Sequence, residues 1–197
     1  MGGRAGGGAS GGMGSGGFRE LSEGEYKRLA ETQNVTKEQE RILYDADTTY
    51  IDSSWSREIN AELTKNKIGK TIPADFMDAE SRTAIKTLDD AIAQNKATKN
   101  ITVKRRVSEY WLTEGGRTLK QGAVFTEHRF TSTSAVGDKN YFGRRKVHLT
   151  IDVPKGKNMF VTKNHAESEI VLPRNTKFKV TKLKSSGGIT EVKLKVM

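Results

Sequence analysis

Residues 167–180 read Glu167-Ser168-Glu169-Ile170-Val171-Leu172-Pro173-Arg174-Asn175-Thr176-Lys177-Phe178-Lys179-Val180, and this stretch decides the fold. Residues 169–172 form an apolar strand pattern. From Lys177 to Leu183 lysines alternate with Phe178, Val180 and Leu183, the period-2 pattern of a strand with one face in a core. On a strand, residues i and i+2 face the same way. Glu167 and Glu169 are therefore expected to enter one site about 6–7 Å apart.

The same period runs through Ile101 to Arg105, Lys146 to Val153 and Ile189 to Val196. Gly115-Gly116, Pro154-Lys155-Gly156 and Ser185-Ser186-Gly187-Gly188 supply turns, and a short helix fits Lys139 to Gly143. Strands of about seven or eight residues at most are expected. Upstream, from Phe18 to Asn100, the period is helical. Thr36-Lys37-Glu38-Gln39 has the form of a capping box, opening a helix with Ile42, Leu43 and Ala46 on its apolar face. A second helix is predicted from Ser53 or Ser54 to about Asn66, with Trp55, Ile59 and Leu63 on one stripe. A third, from about Ala79 to Gln94, buries Ala84, Ile85, Leu88 and Ile92. Helices first and strands after make an α+β domain. Residues 1–17, with ten of the chain's 20 glycines, read as a flexible tail. The domain then spans 18–197, helical over 18–100 and β-rich over 101–197.

Composition narrows the function. The 197 residues include no cysteine, so disulfides, thiolate metal sites and a cysteine nucleophile are excluded. His128, His148 and His165 show no ligand spacing, and no metal is expected. No apolar run of about eighteen residues exists and the N-terminus has no apolar signal core, so no membrane partner is expected. The expected setting is the cytoplasm of the cell that makes the protein or receives it, as for a phage-borne or injected effector. Residues 1–100 carry 14 Lys and Arg against 16 Asp and Glu, while residues 101–197 carry 20 against 8. A strongly basic second half implies an anionic partner, and charge alone does not choose among nucleic acid, a phosphate-rich cofactor and a membrane surface.

Three local features could carry chemistry. Arg105-Arg106 ends the first strand, where a guanidinium can fork two N–H groups toward phosphate oxygens. Phe130-Thr131-Ser132-Thr133-Ser134, as a strand, turns Phe130, Ser132 and Ser134 to one face, where a hydroxyl can hold a sugar or orient a carboxylate. Glu167 and Glu169 supply paired carboxylates, one to steady a developing oxocarbenium ion and one to handle a proton. Each alone has an ordinary alternative: a solvated basic pair, a Ser/Thr-rich edge strand, and a chance Glu-x-Glu in a chain with 15 glutamates.

Their order is more telling. An arginine on a first strand, Ser-Thr-Ser on a later one and Glu-x-Glu entering an apolar strand resembles the Arg–Ser–Glu class of mono-ADP-ribosyltransferases. The chain resembles catalytic domains of clostridial binary toxins and phage-associated exoenzymes of that class. Val103-Lys104-Arg105-Arg106 is similar to that family's Val-Tyr-Arg-Arg strand. Phe142 to Leu149 with Ile151 to Lys155, and the opening stretch 167–180, also resemble it, as does Tyr50 through Trp55 to Ile59-Asn60. The likeness covers about residues 48–196.

This resemblance implies an ADP-ribosyltransferase fold, a helical lobe packed on two small, mostly antiparallel sheets. It implies NAD as substrate, without a metal. Arg105 would grip the pyrophosphate with Arg106 beside it. Ser132 would sit in the nicotinamide-ribose pocket and position Glu169, while Phe142 and Arg145 would come from a covering loop. Tyr50 and Asn60 would border the dinucleotide. Glu169 would bond the ribose and stabilise positive charge as nicotinamide leaves, and Glu167 would orient or deprotonate a protein arginine.

The chain departs from the family at Val107-Ser108-Glu109-Tyr110, at Arg129 and at Asn164-His165-Ala166, positions that bear on nicotinamide contacts and target choice. Three alternatives stand beside this reading: NAD glycohydrolase activity at the same site, a basic nucleic-acid-binding module, and a phage structural protein on a degenerate transferase fold. Aromatic content of 7% and the lack of a nucleic-acid-binding motif count against the second.

Overall fold

The computed structural model describes residues 17–44, 55–137 and 144–197. Residues 1–16 of the expected tail, Ala46, Tyr50, Phe142 and the whole of the short helix expected at 139–143 lie outside them. Four α-helices come first: α1 (Glu23–Glu31), α2 (Lys37–Tyr44), α3 (Trp55–Asn66) and α4 (Ala79–Gln94). Eight strands follow: β1 (Ile101–Val107), β2 (Val124–Glu127), β3 (Thr131–Ser134), β4 (Val147–Val153), β5 (Phe160–Val161), β6 (Glu169–Leu172), β7 (Thr176–Ser186) and β8 (Ile189–Val196).

The capping box at Thr36 forms as expected: the Thr36 N–H donates to Gln39 Oε1 at 2.8 Å, and the Gln39 N–H to Thr36 Oγ1 at 3.1 Å. A second box opens α1, where Ser22 and Glu25 cap each other's backbone. Ile59, Leu63, Ala84, Ile85, Leu88 and Ile92 are all buried. They join Leu43 in a cluster that reaches Phe130, Phe160 and Val171 of the sheet.

The sheet order is β2-β7-β8-β4-β1-β3-β6-β5, with every pairing antiparallel except β4 with β8. The two expected small sheets are present as halves of this one sheet. They meet where β1 and β3 share a single registered pair, Lys104 opposite Ser134. At that junction the four-residue β3 leaves β1 and turns with β6 onto the helices. β6 is buried on both faces, Ile170 and Leu172 in the sheet's main core and Val171 against the helical lobe, hence its unbroken apolar run.

β7 exceeds the expected strand length at eleven residues. A register shift between Val180 and Lys182 lets it twist, and its exposed end pairs with β8 through Gly187-Gly188, both at positive φ (58° and 77°). Among the described residues no helix is long and apolar enough to cross a membrane.

Candidate active site

Ser132 on β3 stands opposite Val171 on β6, and Ser134 stands opposite Glu169. Ser132 and Glu169 are therefore diagonal neighbours on the face turned toward the helices, within reach of each other's side chains. The Ser132 hydroxyl donates to Glu169 Oε1. Thr162, directly after β5, donates to Oε2 at 3.0 Å. Both carboxylate oxygens are thus held by hydroxyls from the two strands that flank β6. Glu169 is 5% exposed. Burial pushes its carboxyl up to about 7, and the nearby Glu167 charge acts in the same direction. The two hydroxyls and Arg105 favour the ionised form and offset only part of that.

Arg105 crosses the β1–β3 junction and donates from Nη1 to the Ser132 carbonyl at 2.7 Å. It opens with Ser132 into a cleft of about 320 Å³ between α3 and the sheet. Arg57 and Asn60 of α3, Arg129 and Arg145 also line it, together with Ser56, Ser108, Tyr110 and the carboxylate of Glu114. Arg145 donates to the Arg106 carbonyl at 3.2 Å, and burial followed by the Arg57 charge lowers its guanidinium pKa. Arg129 pairs with Glu114 and with Glu127, the latter at 3.2 Å. Asn60 Oδ1 accepts from the Phe130 N–H at 3.0 Å, pinning α3 to the start of β3. Guanidinium groups gathered beside a hydroxyl and a buried carboxylate suit a diphosphate joined to a sugar.

Two predicted positions differ. Glu167 is not on the strand: β6 begins at Glu169, and Ser168 takes φ 48°, the left-handed region. Glu167 lies in the preceding turn, its N–H donating to Asn164 Oδ1 at 3.4 Å, so strand alternation does not set the carboxylate spacing. Arg106 faces away from the cleft, because consecutive residues of β1 point to opposite faces; it lines a separate depression with His148 and Lys193. Only its backbone carbonyl serves the cleft, through Arg145. Tyr50 and Phe142 lie outside the described residues.

Some neighbours of the site were not foreseen. Arg57 stands one turn before Asn60, a helical spacing that could have flagged it. Thr162 carried no local signal; the pairing of Val161 with Ile170 brings it beside Glu169. Tyr26 of α1, fully buried, donates to the carbonyls of Thr162 (2.6 Å) and Asn164 (3.0 Å). Tyr44 of α2 accepts from the Lys163 N–H at 2.9 Å. Together they hold the turn that carries Glu167. His165 meets the Tyr26 ring edge-on at 5.7 Å. No cluster of three or more potential metal ligands exists among the described residues.

Residues 22–197 match the family model for the ADP-ribosyltransferase exoenzymes, and the chain belongs to that family. Its members are transferases that use NAD as substrate. Among curated proteins none matches the chain. Solved structures share the fold. The C3 exoenzyme of Clostridium limosum superposes with a TM-score of 0.75 at 14% identity, covering 92% of this chain and 98% of that one. C3stau2 from S. aureus, solved with NAD, gives 0.70 at 18%, covering 93% and 98%. The enzymatic component C2-I of the Clostridium botulinum C2 toxin gives 0.63 at 16%, covering 88% of this chain and 46% of that one.

Proposed function

We propose that the cleft binds NAD and that the chain transfers ADP-ribose from it to an arginine side chain of a protein. The observation that carries this reading is the hydrogen-bonded series Arg105–Ser132–Glu169, which links a phosphate-binding cation, a sugar-facing hydroxyl and a buried carboxylate. Arg105, with Arg57 and Arg145, takes the diphosphate. Ser132 and Glu169 take the nicotinamide-side ribose.

The bond from ribose C1′ to the nicotinamide nitrogen breaks, and its electron pair leaves with the ring. That ring is cationic before departure and neutral after, so no acid is needed. Positive charge moves onto the ribose beside Glu169, whose fixed carboxylate stabilises it. An acceptor guanidinium nitrogen then bonds to C1′ and gives up a proton, and Glu167 is the carboxylate on the exposed turn suited to bind that cation and take the proton. Where water enters instead, the same site hydrolyses NAD.

Incubation with labelled NAD and a cell lysate, followed by mapping of the modified residue, tests the reading. Glu169→Gln should lose both transfer and NAD hydrolysis. Glu167→Gln should lose arginine transfer and keep part of the hydrolysis, since water needs less orientation than a guanidinium. Label on asparagine, or equal loss of both reactions in the two variants, would overturn the assignment of arginine to Glu167.

A further inference from the structure

The charge of the basic half is mostly turned away from the cleft. Its lysines project from the other face of the sheet, whose opposite side is the core. β7 contributes Lys177, Lys179, Lys182 and Lys184, β8 contributes Lys193 and Lys195, and β1 contributes Lys104 and Arg106. Asp152 and Glu191 are the carboxylates among them. Lys104 pairs with Glu20 at 2.6 Å and Lys193 with Asp152 at 3.0 Å. Among the described residues Lys179, Lys182, Lys184 and Lys195 have no ion-pair partner. The four strands β7, β8, β4 and β1 span about 15 Å across. Each of these cations thus lies within one or two screening lengths of its neighbours on the face, a length being about 8 Å at physiological salt. Lys104, Arg106, His148, Thr150, Lys182 and Lys193 also line a depression of about 330 Å³ in this face.

The rim adds a second, independent feature. Four large hydrophobic side chains are exposed among the described residues, and three stand at the margins of this face. Val124 on β2 is 54% exposed and opposes Lys179. Ile189, at the hairpin end of β8, is 38% exposed, and Met197 follows the core residue Val196 at the other end and is 53% exposed. Mutual repulsion makes a lysine field costly unless anions meet it, and exposed aliphatic groups gain from an apolar boundary. An anionic bilayer surface offers both at once.

We propose that this sheet face docks on an anionic phospholipid membrane surface, lysines on the headgroup phosphates and Val124 and Ile189 at the acyl boundary. A nucleic acid would match the charge but not the rim, because aliphatic side chains offer no ring for base stacking. The face also carries one arginine among eight cations, a poor set for bidentate phosphate or base contacts. The earlier expectation of no membrane partner rested on the lack of a spanning segment, which does not bear on a peripheral surface.

The test is co-sedimentation of the full chain with vesicles of phosphatidylcholine alone or with about one third phosphatidylserine, with a short DNA duplex as competitor. Binding should require phosphatidylserine and weaken as salt rises. The triple variant Lys179→Gln/Lys182→Gln/Lys184→Gln should lower the partition coefficient about 100-fold, with an unchanged thermal unfolding midpoint. Ile189→Ser should lower it several-fold while keeping the salt dependence. Equal pelleting with neutral vesicles, full binding by the triple variant, or displacement from vesicles by the duplex would each overturn the proposal.

Discussion

Ser132 and Glu169, 37 residues apart in sequence, are joined by a hydrogen bond across the β3–β6 pair, one diagonal step from direct opposition. That step matters because Glu169 is buried. Without the Ser132 and Thr162 hydroxyls only the charge of Arg105 would compensate its carboxylate. The two hydroxyls favour the anion and offset part of the rise in pKa that burial imposes.

A pH dependence follows. A free glutamate carboxyl titrates near 4.5, and that of Glu169 is pushed up to about 7 in the folded protein, chiefly by burial. If the ionised form does the chemistry, kcat/KM for NAD should rise with pH through about 7. Stability runs the other way. Between these two values the folded chain binds more protons than the unfolded one. The stabilisation tied to this group is therefore complete below about 4.5 and lost as pH rises through about 7, on the order of 3 kcal/mol. Urea midpoints across that range, compared with Glu169→Gln, check it: the variant should lack the slope.

Thr162→Val should slow the reaction about tenfold at neutral pH, the effect of removing one hydrogen bond to a charged group. Since Thr162 favours the ionised carboxyl, the midpoint of the pH–rate profile should also move upward. Thr162→Ser keeps the hydroxyl and should restore both. A rate loss with an unmoved midpoint would leave Thr162 a packing role only.

Arg105 and Arg106 should separate in a binding experiment. Arg105→Lys replaces a fork by a point charge and loosens the bond to the Ser132 carbonyl, so Kd for NAD should rise about tenfold. Arg106→Lys acts on the opposite sheet face and should stay within about twofold. Calorimetric titration of the two variants decides it.

Arg174 fastens the helical lobe to the sheet. Its guanidinium bonds Asp89 of α4 at 2.9 and 3.0 Å and the Gly69 and Lys70 carbonyls, the latter at 2.7 Å. Burial pushes the Asp89 carboxyl up, with Arg174 opposing. Arg174→Met leaves that carboxylate and two carbonyls without their partner and should cost about 3–5 kcal/mol in urea denaturation. Adding Asp89→Leu should recover part of the loss.

Much of this molecule is legible along the chain. Periods of 3.6 and 2 place α3, α4, β1, β4 and β8, because each buries one face and leaves the other in water. Elements without a full period are not: β5 has two residues, β2 has four, and α1 shows itself only through Ser22 and Glu25. The residue types of the site could be read in order as Arg105, Ser132, Glu167 and Glu169, since order survives when sequence similarity is low.

What the chain determined by itself was which side chains are available and which segments pair a buried face with an exposed one, since both depend on neighbours a few residues away. Only the tertiary structure decided that Glu167 leaves the strand at Ser168, that Arg106 turns from the cleft, and that Thr162 completes the hold on Glu169. Those outcomes depend on strand register and on which face the helices cover. Long-range packing sets both, and no short stretch of residues encodes them.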